Sequence, residues 1–275
     1  MLTTMPPKLA FFGTPELCLP LLEALVDANM APAVVVTNPD RPVGRKQVIT
    51  PPPVKVWAEE HGIEVLQPES LDAAWVEEFA ARKIDLSIVV AYGQILPERL
   101  IAAPRLGTIN IHYSLLPRWR GATPVEAAIL AGDTTTGVTI QQMVQKLDAG
   151  PILAAKELPI QPDDTTESLK VRLNTAAGHL LVASLPDILA GRLSPTPQDD
   201  AQATFCRTTQ KADAEVSLGE PDEILWRKYR AYQHWPRIFY FDEAGRRTII
   251  TEAAFHNEKF VIKKILPAGG REKKI

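Results

Sequence analysis

Cysteine is scarce in this chain: Cys18 and Cys206 are its only two thiols among 275 residues. Two distant cysteines make no disulfide framework and no CxxC pair, so a reducing, intracellular location is expected. Five histidines never gather with those cysteines at zinc-ligand spacing, and no metal is expected. No apolar run reaches about 18 residues, the length a membrane-spanning helix needs. The opening MLTTMPPKLAFFG lacks the basic start and long apolar run of a signal peptide. These absences predict a cytoplasmic protein off the membrane, and a monomer is expected. Gly13 stands alone after the first apolar run, without GxGxxG, and there is no Walker motif, which argues against nicotinamide or nucleoside triphosphate as the default ligand. Excess positive charge is missing too: the formal net charge is −3, so the chain as a whole does not read as a nucleic-acid binder. Its last residues depart from that balance, with Lys263, Lys264, Arg271, Lys273 and Lys274 against the single acid Glu272. Such a tail can touch phosphate, although a solvated end is the commoner meaning.

Core-forming material is abundant, at 45% hydrophobic residues. Short apolar runs alternate with helical periodicity. Strands are expected at 8–13, 33–37, 64–66, 86–91, 106–112 and 138–143, with helices at 17–28, 53–61, 71–83 and 124–131 between them. That rhythm predicts an α/β fold, a Rossmann-like, doubly wound, mostly parallel sheet with both faces covered. Residues 152–160 are strand-like and fit the sheet edge, and 168–189 form a long helix ended by Gly191. Residues 194–209 are rich in Pro, Asp, Thr and Gln, a linker composition. The expected organisation is a catalytic domain at 1–193, a linker at 194–209 and a small β-rich domain at 210–275. The last part, with a helix at 221–231 and three short β-like segments, is small for independence and is expected to lean on the first.

The richest stretch is LGTINIHYSLLPRWRGATP, residues 106–124. Alternate residues of a strand share a side, so Asn110 and His112 face one way together, near a carboxyl end where open α/β sheets bind ligands. An amide and an imidazole side by side can steady a developing oxyanion and manage a proton. A lone core histidine is the bland alternative, and the strand-end position outweighs it. Asp148, in KLDAGPIL, follows the 138–143 strand. If the strands are parallel it lies at the same edge, where a carboxylate can orient His112 and stabilise its imidazolium. A turn aspartate before Ala-Gly is the plainer reading.

Residues 38–55, NPDRPVGRKQVITPPPVK, hold five prolines, two arginines and two lysines without periodicity. A rigid surface loop is the default. A long loop at the carboxyl edge can also act as a lid or docking arm, with Arg41, Arg45 and Lys46 as phosphate partners. Arg118 and Arg120 add two cations at the mouth, so an anionic substrate is expected. The turn VVAYGQILP, residues 89–97, can read a planar heterocycle through main-chain groups between apolar side chains, or be a plain strand-to-helix turn.

Taken together, FFGTPE, TNPDRPVGR with PPPVK, VVAYGQILP, RLGTINIHYSLLPRWRGATP, GVTIQQM and LDAGPIL resemble the methionyl-tRNA formyltransferases, in the family's order, densely over residues 8–155. Asn-x-His with a distant Asp is shared with the wider 10-formyltetrahydrofolate-dependent formyltransferases, including those acting on nucleotide-linked amino sugars. The SLLPRWRGA and PDRPxGR segments are the specific ones. The resemblance implies transfer of a formyl group from 10-formyltetrahydrofolate to the α-amino group of initiator methionyl-tRNA, with no metal. It implies catalytic places for Asn110, His112 and Asp148. Folate contacts are implied at Val90, Ala91, Tyr92, Gly93, Gln94, Ile95 and Leu96, and at Ser114, Leu115, Leu116 and Pro117. Transfer-RNA contacts are implied at Arg41, Arg45, Lys46, Arg118 and Arg120. The family's C-terminal barrel is matched only by RAYQHWPRIFYF and LPAGGREKK, so a shortened β-rich domain is expected, either compact by nature or cut. A formyltransferase for an amino-sugar nucleotide is the alternative.

Overall fold

A computed structural model describes residues 6–44 and 46–275. The chain begins with strand β1 (Leu9–Gly13), helix α1 (Leu19–Asp27) and strand β2 (Val34–Val36). A hairpin of β3 (Arg41–Val43) and β4 (Val48–Thr50) follows, then α2 (Pro53–Glu60), β5 (Glu64–Leu66), α3 (Ala73–Ala81) and β6 (Leu86–Val90). Next come α4 (Glu98–Ile101), β7 (Thr108–His112), the short β8 (Arg120–Gly121), α5 (Pro124–Ala131), β9 (Thr135–Gln142), β10 (Ile152–Pro159) and the 24-residue α6 (Thr166–Leu189). The remainder holds β11 (Phe205–Cys206), α7 (Asp222–Ala231), β12 (Phe239–Phe241), β13 (Arg247–His256), β14 (Lys259–Pro267) and β15 (Lys273–Lys274).

Seven strands form the main sheet in the order β10-β9-β7-β6-β1-β2-β5. The five from β5 to β7 are parallel, and the apolar runs of the inner ones are buried because helices cover both faces, while β5 is half-exposed at the edge. Alternation in β1 serves both sides: Leu9 and Phe11 enter the core under α1 and α6, while Ala10 and Phe12 pack with Phe79, Tyr92, Leu96 and Leu100 opposite. Helix boundaries follow local chemistry. Pro53 and Pro124 open α2 and α5, where a missing N–H costs nothing, and Thr165 caps α6 reciprocally with Ser168.

Two expectations need correction. Strand β9 is antiparallel to β7, with Asn110 opposite Gln141 and His112 opposite Thr139, so it leaves the sheet at the edge away from His112. Asp148 is therefore not delivered by a parallel strand end, and the loop of residues 143–151 must carry it back. The non-periodic stretch 38–55 is also more ordered than a plain loop: it contains the exposed β3–β4 hairpin, and its last residues are the first turn of α2.

The C-terminal strands β12-β13-β14-β15 form a separate four-stranded antiparallel sheet. Its Phe239, Ile250 and Ile265 join Leu225 and Tyr229 of α7 in the same contiguous core as β1 and α6, so this part leans on the main sheet. Residues 194–209, linker-like in composition, are tied to that sheet at Thr196, which bridges to Ile152, and their β11 pairs in parallel with β8 in a separate two-stranded sheet.

Candidate active site

The carboxyl ends of β1, β2, β6 and β7 meet along one edge, where polar side chains stitch successive loops together. Thr14 Oγ1 and Asn38 Nδ2 both donate to the Tyr92 carbonyl at 2.8 Å, and Gln94 Nε2 donates to Asn38 Oδ1 at 2.7 Å. This lattice fixes the turn after β6. Val90, Tyr92 and Leu96 are buried, whereas Ala91, Gly93 and Ile95 face outward, Ile95 with 87% of its surface exposed. Ala91 and Gly93 have left-handed backbones, φ 45° and 90°, and carry little or no side chain where they face outward. Its outer side borders a shallow cleft of about 560 Å³ shared with Leu71, Asp72 and Gln145, the last from the loop that carries Asp148.

On β7, Asn110 and His112 project to one side, as their spacing requires, and the structure brings Asp148 to them. Asn110 Nδ2 lies 3.4 Å from Asp148 Oδ1, and His112 Nδ1 lies 3.7 Å from Asp148 Oδ2. His112 is buried, with Nε2 at 2.8 Å from the Trp119 carbonyl. A carbonyl only accepts, so Nε2 carries a proton in either charge state, and the exchangeable proton sits on Nδ1, toward Asp148. The carboxylate is gripped by groups the sequence reading did not single out. Gly121 N–H donates to Oδ2 at 2.8 Å, and Gln141 Nε2 donates to Oδ1 at 2.9 Å. Gln141 had no readable signal: β9 reads TTGVTIQQ, and only the structure shows that this glutamine is buried and directly opposite Asn110.

Two glycines make this geometry possible. A Cβ on Gly121, whose φ is 120°, would stand 1.9 Å from the Cys206 carbonyl oxygen, and one on Gly150 would stand 1.7 Å from that of Gln142. Close backbone approach at these points lets β11 pair with β8 and folds the 143–151 loop back on β9.

The turn after β7 is latched by Thr139, whose hydroxyl donates to the Ser114 carbonyl at 2.7 Å and accepts from Leu116 N–H at 3.1 Å. Ser114 and Leu116 are buried, and Leu115 and Pro117 are not exposed. Of the expected rim cations, Arg41 pairs with Glu69 at 2.6 Å on the surface, and Lys46 is exposed. Arg45 lies outside the described residues. Arg118 is half exposed and pairs with Asp133 at 2.6 Å, which holds its guanidinium above the usual arginine range. Arg120 corrects its expectation: only 1% exposed, it spends its guanidinium on Asp200 at 2.8 Å and Gln198 at 2.8 and 3.1 Å. It is an internal tie between β8 and residues 194–209, not a cation at the mouth.

A family profile described as formyl transferase matches residues 7–185. The methionyl-tRNA formyltransferase of Halorhodospira halophila (strain DSM 244 / SL1) is 43% identical over 98% of this chain and 94% of its own length. Among solved structures, a sugar N-formyltransferase from Shewanella superposes with a TM-score of 0.71 at 19% identity, covering 92% of this chain and 99% of that one. HypX from Aquifex aeolicus in complex with tetrahydrofolic acid superposes at 0.65 and 15% identity, over 98% of this chain and 46% of the other. At such identities the two structures speak for the fold.

Proposed function

The chain belongs to the formyl transferase family, and from that premise we propose that it carries the formyl group of 10-formyltetrahydrofolate to the α-amino group of methionine on initiator tRNA. The family uses formyl-tetrahydrofolate, which supplies the carbon under attack. The observation that carries the reading is the meeting of Asn110 Nδ2, His112 Nδ1 and the Asp148 carboxylate within 3.7 Å at the carboxyl end of β7.

Each group has a task its surroundings suit. Among the described residues the Asn110 amide makes one long contact, to Asp148, which leaves it able to donate to the formyl oxygen as negative charge develops there. His112, its Nε2 proton spoken for by Trp119, offers Nδ1 as the working nitrogen: protonated, it donates to that oxygen or to Asp148. Asp148 stabilises the charged imidazole and takes up the proton released by the attacking amine, directly or through a water, for return to the leaving nitrogen. The amine needs no strong base, since an α-amino group titrates at about 7.7–8.0 and a useful fraction is neutral near pH 7. Burial of His112 keeps water from competing for these bonds.

The turn of residues 90–96 is the folate-ring contact in this reading: its buried side chains anchor it, and Gln94 and Ile95 line the cleft. Residues 114–117, on the turn latched by Thr139, are the second folate-contacting stretch in this reading. In this reading Arg41, Arg45, Lys46 and Arg118 are the contacts to the tRNA acceptor end. The residue ranges 1–193 and 210–275 serve as catalytic and tRNA-facing parts in this reading.

The test is a formyl-transfer assay with 10-formyltetrahydrofolate and initiator Met-tRNA, with amino-sugar nucleotides as competitors. Efficient transfer to Met-tRNA is expected, with an affinity for tRNA that falls steeply with salt as contacts to several phosphates require. Turnover confined to the amino sugar would refute the substrate.

A further inference from the structure

We infer that Gln198 is a positioning residue for Asp148, an inference that rests on the formyl-transfer reading above. Gln198 belongs to the 194–209 segment, 50 residues after Asp148 in the chain. Its amide ties β8 to the 143–151 loop, which also meet through Gly121 N–H on Asp148 and through Asp200, paired with both Arg120 and Lys146, and it lies 3.4 Å from Gln141 Oε1. Nε2 donates to the main-chain carbonyls of Asp148 at 2.9 Å and Gly150 at 2.7 Å, while Oε1 accepts from Arg120 Nη2 at 2.8 Å and Nε at 3.1 Å. The orientation of this amide is dictated by its partners. A guanidinium can only donate, so the oxygen must face Arg120, and two carbonyls can only accept, so the NH₂ must face the loop. Arg120 is in turn immobilised by burial and by its ion pair with Asp200.

What Gln198 holds is a backbone that would not hold itself. Asp148 has φ 46°, a left-handed conformation that a non-glycine residue keeps only when its surroundings over-determine it. The direction of the Asp148 carboxylate toward His112 Nδ1 and Gly121 N–H depends on that backbone. Gln198 grips the carbonyls on both sides of the Ala149 peptide, so it sets the aim of the carboxylate without touching substrate. The prolines and aspartates of this segment read as a solvated linker, yet its glutamine completes the site.

The experiment compares Gln198→Ala and Gln198→Glu in the full chain. Expected is a fall in kcat of about 10- to 100-fold, as small misplacement of a catalytic group produces, with both KM values within about twofold of wild type. Gln198→Glu keeps the acceptor for Arg120 but aims a carboxylate at two carbonyls, so it should fall as far as Gln198→Ala. Wild-type kcat in Gln198→Glu would overturn the inference, because anchoring Arg120 would then be the whole role. A loss confined to KM, or unfolding of Gln198→Ala at the assay temperature, would overturn it as well. A second readout needs no substrate: the Gly121 amide proton, bonded to Asp148 Oδ2, should lose exchange protection in Gln198→Ala while amides of β1 keep theirs. Unchanged Gly121 protection refutes the positioning role, whereas a wild-type chain silent on Met-tRNA refutes only the substrate.

Discussion

Replacing Asp148 by asparagine tests the proposed chemistry with almost no change of shape. Every group facing this carboxylate is a donor in its working state: Gly121 N–H at 2.8 Å, Gln141 Nε2 at 2.9 Å, Asn110 Nδ2 at 3.4 Å and, when charged, His112 Nδ1 at 3.7 Å. An asparagine has one accepting oxygen, and its NH₂ must then meet donors whichever way the amide turns. At least one hydrogen bond to a charged acceptor is lost, a cost of about 1.5–3 kcal/mol. In a chain of this size each kcal/mol lowers Tm by roughly 2–4 °C, so a fall of about 3–12 °C is expected and the fold survives. The catalytic loss is larger. In the proposed mechanism the amine proton then has no acceptor, and positioned proton transfer contributes about 10²- to 10⁴-fold. The assay is a rapid-quench single turnover at saturating 10-formyltetrahydrofolate and Met-tRNA, which separates chemistry from binding. A folded Asp148→Asn protein reacting within about tenfold of wild type would refute the reasoning.

Two further outcomes follow from other parts of the structure. Gly121→Ala places a methyl 1.9 Å from the Cys206 carbonyl at a φ of 120°, so a loss of at least about 2 kcal/mol is expected from overpacking alone, with turnover falling too because the Gly121 N–H is displaced from Asp148; an unchanged melting temperature would show that β8 and β11 can part freely. Burial pushes the Cys18 thiol up to about 12 and the Tyr92 and Tyr232 phenols up to about 12. These groups bind protons more tightly when folded, so the stability they confer is complete below about pH 9 and is lost as pH rises toward 12; urea midpoints measured from pH 8 to 11 should decline, and a flat profile would contradict their burial.

The parallel half of the sheet was legible because strands covered on both faces read as unbroken apolar runs, as in LAFFG, VVV and LSIVV. Helix α5 was legible from Pro124 at its start and Gly132, with φ 75°, at its end. Asn110 and His112 needed only the two-residue period. The direction of β9 was not readable, since a buried strand pairs either way and only the return path of the chain decides it. The β3 and β4 strands are three residues each and exposed, so they leave no burial pattern. Arg120 sits between Trp119 and Gly121 in a stretch that reads as surface, and its fate is decided by Gln198 and Asp200, 78 and 80 residues later. No local pattern carries a contact of that span.

That span has a consequence in time. Trp119 and the Thr204 hydroxyl that accepts its N–H are 85 residues apart, so on the ribosome, at about 5–20 residues per second, the second partner is made roughly 4–17 seconds after the first. The parallel strands and the Asn-x-His pair precede Trp119 and the Asp148 loop is made early in that interval, whereas Gln198 comes only near its end and Cys206 after it. A growing chain of this sequence therefore builds its scaffold first and acquires a fixed carboxylate only when the stretch that resembles a linker has been synthesised and laid down.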